Sequence, residues 1–207
     1  MNDPRTKVMT LEQAVEARLK LAAAGRKLAV TNGCFDLLHR GHAEYLMQAR
    51  ALADRLFVLI NSDASVRALK GPTRPVNLEN DRAFLLACLE FVDGVVIFRS
   101  SRCDEELAAL KPDVYVKGGD YTVDSLDPDE RAALLEAGSE ICFIPFVPGY
   151  STTGTLKKSR RERSLIPPCP SPSTPCTIST HATAASPNSP PRSPARMPDS
   201  RSPRSSS

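Results

Sequence analysis

Two histidines, His39 and His42, are separated only by Arg40 and Gly41. Residues three apart lie on one side of a helical turn, so both imidazoles can face one small ligand. The stretch before them, Val30-Thr31-Asn32-Gly33-Cys34-Phe35-Asp36, runs from the end of an apolar strand into a glycine turn. Gly33 permits a sharp turn and a close approach of ligand to backbone. A helix predicted from about His42 to Ala53 aims its unpaired N–H groups and the positive end of its dipole back at that turn. Such a place takes anions, above all phosphate. Gly41 keeps the space between the two rings free of a side chain. Zinc fits the same residues poorly. It takes three or four protein ligands, Cys34 adds at most one, and His181 lies far off in a compositionally biased tail.

Elements that could position these groups follow in order. Thr10–Ala24 reads as a helix with Thr10 and Gln13 as a capping box and Gly25 as its stop. Leu28–Thr31 is a strand, and Arg55–Asn61 is a continuous apolar run of the kind buried on both faces of a parallel sheet. Ser62–Leu69 is a short helix or turn, and Lys70–Pro75 is a loop by its Gly and Pro content. Glu79–Phe91 is a helix expected to turn Phe84, Cys88 and Phe91 toward the sheet. Gly94–Phe98, Asp113–Lys117 and Glu140–Phe146 are further strands. Between them lie a helix over Cys103–Leu110 and one capped by Asp127, with Pro128 first, Glu130 completing a capping box and Gly138 closing it. Strands alternating with helices predict an α/β fold, a five-stranded parallel sheet with helices on both faces and right-handed crossovers. Ligands of such sheets bind beyond the carboxyl ends of the strands. The histidine stretch, Asn61-Ser62-Asp63, Lys117–Tyr121 and Gly149–Thr153 all follow strands, so four distant polar segments are expected to meet on one edge.

Composition narrows the function. Residues 157–207 carry a net charge of +7, which leaves −4 for residues 1–156 of a chain whose total is +3. The basic balance therefore belongs to the tail, and the folded part is no obvious nucleic-acid binder. No apolar run reaches 18 residues, so no membrane span is expected, and the start lacks the apolar core of a signal peptide. Cys34, Cys88, Cys103 and Cys142 stand at unrelated spacings, which fits reduced, cytoplasmic usage. From Ser164 onward the chain holds eleven of its 18 prolines and twelve serines. Such a segment buries too little apolar surface to offset its chain entropy. The expected organisation is an N-terminal helix over 1–25, a catalytic domain over 26–156, and a basic, disordered tail over 157–207.

Thr31-Asn32-Gly33-Cys34-Phe35-Asp36-Leu37-Leu38-His39-Arg40-Gly41-His42 resembles the H-x-G-H signature of the nucleotidyltransferase superfamily, in its cytidylyltransferase-like branch, and so implies a Rossmann-like fold. With N-S-D at 61–63, L-K-G-P-T-R-P-V at 69–76, V-K-G-G-D-Y at 116–121 and P-F-V-P-G-Y-S-T-T at 145–153, it resembles the D-glycero-β-D-manno-heptose 1-phosphate adenylyltransferases, without the sugar-kinase domain of their bifunctional form. The resemblance implies that ATP and heptose 1-phosphate give ADP-heptose and pyrophosphate, and it makes a homodimer plausible. Cytidylyltransferases for glycerol phosphate and choline phosphate carry an arginine where this chain has Phe146, which argues against them. A CTP-dependent enzyme acting on a polyol phosphate and a non-catalytic nucleotide-binding protein are the competing expectations. After Thr153 the family continues with an apolar helix, whereas Gly154 and the charged run that follows weaken a helix here.

The chemistry of that reaction suits these residues. A phosphate monoester has its second pKa at about 6 and attacks the α-phosphorus without a general base. It needs alignment with the leaving pyrophosphate and donors on the crowded phosphorus. His39 and His42 supply N–H groups. The backbone at Gly33, Cys34 and Phe35 and the helix start hold the triphosphate, and Ser151, Thr152 and Thr153 after Gly149 reach its far phosphates. Lys70 is the candidate to swing over the phosphates from a loop. Asp120, after Gly118 and Gly119, suits a ribose hydroxyl. Lys117 and Arg82 are candidates for the substrate phosphate, with surface ion pairs as their bland alternative. Asp36 holds the signature loop rather than acting as a base. Mg2+ would sit on the phosphates and keep several of its waters. The expected partners are small molecules, with no nucleic acid and no membrane.

Overall fold

The run Arg55–Asn61 forms β3, and all of it except Arg55 is buried. A strand hidden on both faces belongs in the middle of a parallel sheet. The computed structural model, which describes residues 3–119, 122–145 and 154, puts it there. The strands are β1 (Val8–Met9), β2 (Leu28–Gly33), β3, β4 (Gly94–Phe98), β5 (Val114–Gly118) and β6 (Glu140–Ile144). They lie in the order β1-β4-β3-β2-β5-β6 and every pairing is parallel.

The sheet has six strands, not the expected five. The extra one is β1, two residues long, too short for any alternation to betray it. It joins the edge in register Val8↔Val95 and Met9↔Val96. Gly94 makes room for it, since a Cβ there would lie 2.3 Å from Met9 Cε and 2.7 Å from Phe57 Cδ1.

Helices cover both faces. One face packs α2 (Arg40–Arg50) and α4 (Glu79–Ala87) over Ala29, Val58, Ile60 and Val116. The other packs α1 (Leu11–Ala23), α5 (Asp104–Leu110) and α6 (Pro128–Ala137) over Leu28, Val30, Leu59 and Tyr115. A short α3 (Asp63–Lys70) follows β3. The chain runs from β2 to β3 to β4 in one direction and then returns to add β5 and β6 on the other side of β2. The order reverses between β2 and β5, and in open α/β sheets that is where the strand ends leave a crevice for ligand.

Local signals set several boundaries. Thr10 and Gln13 form the expected capping box on α1, and Asp127 and Pro128 start α6. Other expectations are corrected. α2 begins at Arg40 and ends at Arg50, short of the expected Ala53. Helix α4 stops at Ala87 and turns Ala83, Leu86 and Ala87 inward, so Phe84 is 42% exposed and Cys88 is exposed. Small residues let α4 lie close on the sheet, and its aromatic residue is left outside. Glu130 does not complete a cap; it is buried and bonds elsewhere, while Asp127 Oδ1 accepts from Asp129 N. Gly154 is helical and exposed; a helical glycine costs only ~1 kcal/mol against alanine. No helix among the described residues is long and apolar enough to cross a membrane.

Candidate active site

β2 delivers the histidines. Hydrogen bonding in β2 persists through Gly33, so the turn comes later than the glycine. It is made by Phe35, whose φ of 43° is uncommon for any residue but glycine. Gly33 is needed for another reason: a Cβ on it would sit 3.1 Å from the Phe35 ring. The chain then reaches His39, the N-cap of α2, and His42 one turn on. The two imidazoles stack, with centroids 3.8 Å apart and planes 12° apart, and Phe35 leans on His42 at 5.2 Å.

The protonation of the pair follows from its contacts. His39 Nδ1 accepts from His42 N at 3.3 Å. In the neutral ring the proton is then on Nε2. Burial lowers the His39 pKa. It lowers that of His42 further, to about 4, with help from the nearby His39 and Lys70 charges and partial opposition from the Leu37 backbone. Nδ1 of His42 is buried and meets no partner at hydrogen-bond geometry. Both rings are therefore neutral near pH 7. Tyr45 ties α2 to the switch point, since its hydroxyl donates to Val116 O of β5 at 2.9 Å and pairs with Thr31 Oγ1 of β2 at 2.6 Å.

A buried lock holds the turn. Asp36, 2% exposed, accepts from Arg74 Nε, from Val76 N at 2.6 Å and from Asn77 N at 3.1 Å. Arg82, on α4, is 0% exposed. It donates to Cys34 O at 2.7 Å, Asn77 O at 3.0 Å and Asp63 Oδ1 at 2.9 Å. Arg82 thus faces neither solvent nor crevice: it pins the signature turn, the 74–77 segment and the start of α3 to one another. Cys34 is half-buried with Sγ 3.6 Å from Asn61 Oδ1. Lys70 is the last residue of α3, exposed, and close enough for its charge to act on His42.

The other lip of the crevice belongs to β5. Lys117 donates to Asn32 Oδ1 at 2.7 Å and to Tyr115 Oη at 3.1 Å, and Tyr115 donates to the same Asn32 oxygen at 2.8 Å. Behind them Glu130, 5% exposed, accepts from Asn32 Nδ2 at 3.4 Å and from Cys103 N at 3.3 Å, and lies 3.8 Å from Lys117 Nζ. Burial pushes the Cys103 thiol and the Tyr115 phenol well above their usual ranges, so both stay protonated. Gly118 ends β5 and Gly119 follows at φ 113°.

The structure thus brings Gly33, Cys34, Phe35, His39, Gly41, His42, Lys117 and Gly118 to one edge of the sheet. Asp120, Tyr121, Phe146, Gly149, Tyr150, Ser151, Thr152, Thr153 and the 157–207 tail lie outside the described residues. Sequence alone gives no site role to Asn32, Tyr45, Arg74, Asn77, Tyr115 or Glu130. Their neighbours are distant in the chain; Asn32, within the signature, and Arg74, within the 69–76 string, carry a local hint, and Glu130 reads only as a cap. No group of three or more His, Cys, Asp or Glu among the described residues is placed to hold a metal ion. Both oxygens of Asp36 accept from the 74–77 segment.

Several known proteins are similar to this chain. The bifunctional protein HldE of Methylococcus capsulatus is 48% identical over 157 residues, covering 76% of this chain and 33% of that protein. The HldE protein of Hyphomonas neptunium is 52% identical over 138 residues, covering 66% of this chain and 28% of that one. The chain spans about a third of the length of these relatives. Among solved structures, the lipopolysaccharide core biosynthesis protein from Thermoplasma volcanium GSS1 aligns at 27% identity with a TM-score of 0.49, covering 59% of this chain and 98% of that one. Residues 30–154, from the middle of β2 to just past the Ser-Thr-Thr segment, match the family model described as cytidylyltransferase-like. That match takes in more than half of the sequence, including the stacked histidines and both lips of the switch-point crevice, and the chain belongs to the cytidylyltransferase-like family.

Proposed function

We propose that this chain transfers the adenylyl group of ATP to the phosphate of D-glycero-β-D-manno-heptose 1-phosphate, releasing pyrophosphate. The stacked pair of neutral histidines at the N-terminus of α2, on the edge where the strand order reverses, carries the reading. An acceptor phosphate oxygen attacks the α-phosphorus of ATP. The new P–O bond forms as the bond to the β-phosphate bridge oxygen breaks, and pyrophosphate leaves with that electron pair. The acceptor is already ionised near pH 7, so no side chain has to remove a proton. His39, with Nδ1 engaged at His42 N, has its proton on Nε2 for the phosphate oxygens. Such fixed donors are worth most where charge builds in the transition state. The N-terminus of α2 adds its dipole, and Lys70 supplies charge from α3. Mg2+, carried by the triphosphate and water rather than by a protein cage, would neutralise the phosphates.

The choice of ATP and a sugar 1-phosphate is supported by the V-K-G-G-D-Y and P-F-V-P-G-Y-S-T-T strings, by Phe146 where cytidylyltransferases have arginine, and by 48% and 52% identity to HldE proteins. The test is a grid of ATP, CTP, GTP and UTP against heptose 1-phosphate, glycerol 3-phosphate and other sugar phosphates, scored by pyrophosphate. ATP with heptose 1-phosphate is expected to give the highest kcat/KM. Equal or better use of CTP would overturn the assignment.

A further inference from the structure

Arg82 and Lys117 are the two basic groups that the sequence offers to the substrate phosphate, and the fold separates their roles. Arg82 is spent inside the protein on Cys34, Asn77 and Asp63. Lys117 stands at the switch point, at the carboxyl end of β5 beside β2. Its side chain is held on the face opposite α2, the same face as Tyr115. The histidines rise from α2 on the first face. A group bound between them and Lys117 would lie across the crevice, with nucleotide phosphates toward α2 and an attacking phosphate toward β5.

The cradle of Lys117 is unusually well defined. A lysine carries four rotatable carbons and usually wanders as a solvated charge. Here the ammonium is fixed by Asn32 Oδ1 and Tyr115 Oη, which also bond to each other. The Asn32 amide is itself oriented, because its nitrogen faces Glu130 Oε1 and Cys103 Sγ, which leaves its oxygen toward the lysine. Glu130 is anchored in turn by Cys103 N at the start of α5. Four residues, Asn32 of β2, Tyr115 of β5, Glu130 of α6 and Cys103 at the cap of α5, are thus spent on placing one ammonium group.

We propose that Asn32 and Tyr115 are positioning residues that hold the Lys117 ammonium as the binding group for the acceptor's phosphate, with Glu130 setting the orientation of Asn32. This rests on the adenylyl-transfer reading above. A preorganised cation needs no reordering when the attacking phosphate arrives, so its worth appears in capture and alignment of the acceptor. The nucleotide is held mainly from the opposite lip.

The experiment measures KM for ATP and for heptose 1-phosphate separately, and titrates inorganic phosphate calorimetrically onto protein saturated with α,β-methylene ATP. Lys117→Met should raise the acceptor KM about ten- to a hundredfold, as expected for loss of a charge-assisted hydrogen bond, with the ATP KM within about twofold and the phosphate heat abolished. Tyr115→Phe, which keeps the ring and its packing, should shift the acceptor KM in the same direction by about threefold to tenfold. Lys117→Arg keeps the charge but not the fit to Asn32 and Tyr115, and should remain impaired toward the acceptor. Full recovery in Lys117→Arg would overturn the positioning role. Parallel shifts in both KM values, an unchanged acceptor KM, or no phosphate binding by the wild type would overturn the assignment of Lys117. If the wild type binds phosphate through Lys117 yet makes no pyrophosphate from heptose 1-phosphate, the heptose reading fails while the anion site stands for another acceptor phosphate.

Discussion

The two lips of the crevice reach similar rigidity by different means. On the α2 side the chemistry sits in ten consecutive residues, Gly33 to His42, and is neutral: two stacked imidazoles kept uncharged by burial. On the β5 side a formal charge, Lys117, is held by Asn32, Tyr115 and Glu130. The first lip keeps its shape because a strained turn at Phe35 is over-determined by Asp36 and Arg82. The second needs no strained backbone, since Asn32 and Lys117 each follow the paired residues Thr31 and Val116 and bond through their side chains. Strain held in place by surrounding bonds is common where a turn must present reactive groups. A half-buried charge is better served by a polar network that orients it.

The largest effect should come from removing the pin of the first lip. Arg82→Met leaves Asp63 and the carbonyls of Cys34 and Asn77 without their donor. Breaking a buried pair in this way costs about 3–5 kcal/mol. Chemical denaturation should show that loss, and an unchanged midpoint would mean that the turn holds itself. Next come the reacting groups. His39→Ala and His42→Ala should fold normally and lose ~10²–10³ in kcat, with KM moved less. Near-normal kcat in either variant would pass the chemistry to the β5 lip.

A smaller effect is expected at the turn itself. Gly33→Ala pushes a methyl against the Phe35 ring, an overpacking that typically costs about 1–3 kcal/mol. Restoration of stability by Phe35→Leu in the same chain would show that the ring contact, not backbone freedom, is what requires glycine. The gentlest probe is titration. NMR of histidine-labelled protein should put the His42 midpoint near 4 without nucleotide and higher when anionic phosphates neighbour it. Because its folded value lies below the unfolded one of about 6.5, the unfolded chain takes up the proton first. The stability this group contributes is then full above about 6.5 and declines as pH falls toward 4. A His42 midpoint near 6.5 in the free protein would remove the contrast between a neutral and a charged lip.

Local sequence by itself determined what local physics controls. The alternation of apolar runs and capped segments specified an α/β parallel sheet. Thr10 with Gln13 and Asp127 with Pro128 marked helix starts because a cap is satisfied within three residues of itself. The histidine pair was legible for the same reason, its spacing lying within one helical turn. Tertiary structure alone decided the rest. Val8 and Met9 become a strand only because β4 offers an edge. Arg82 reads as a phosphate ligand or a surface pair until its bond to Cys34, 48 residues away, is seen. Glu130 reads as a cap until it meets Asn32, 98 residues away. Phe84 reads as core until α4 rolls its alanines inward. Helical periodicity says which residues share a face; it does not say which polar group waits there. Only a folded chain can supply the partners that make a buried charge tolerable.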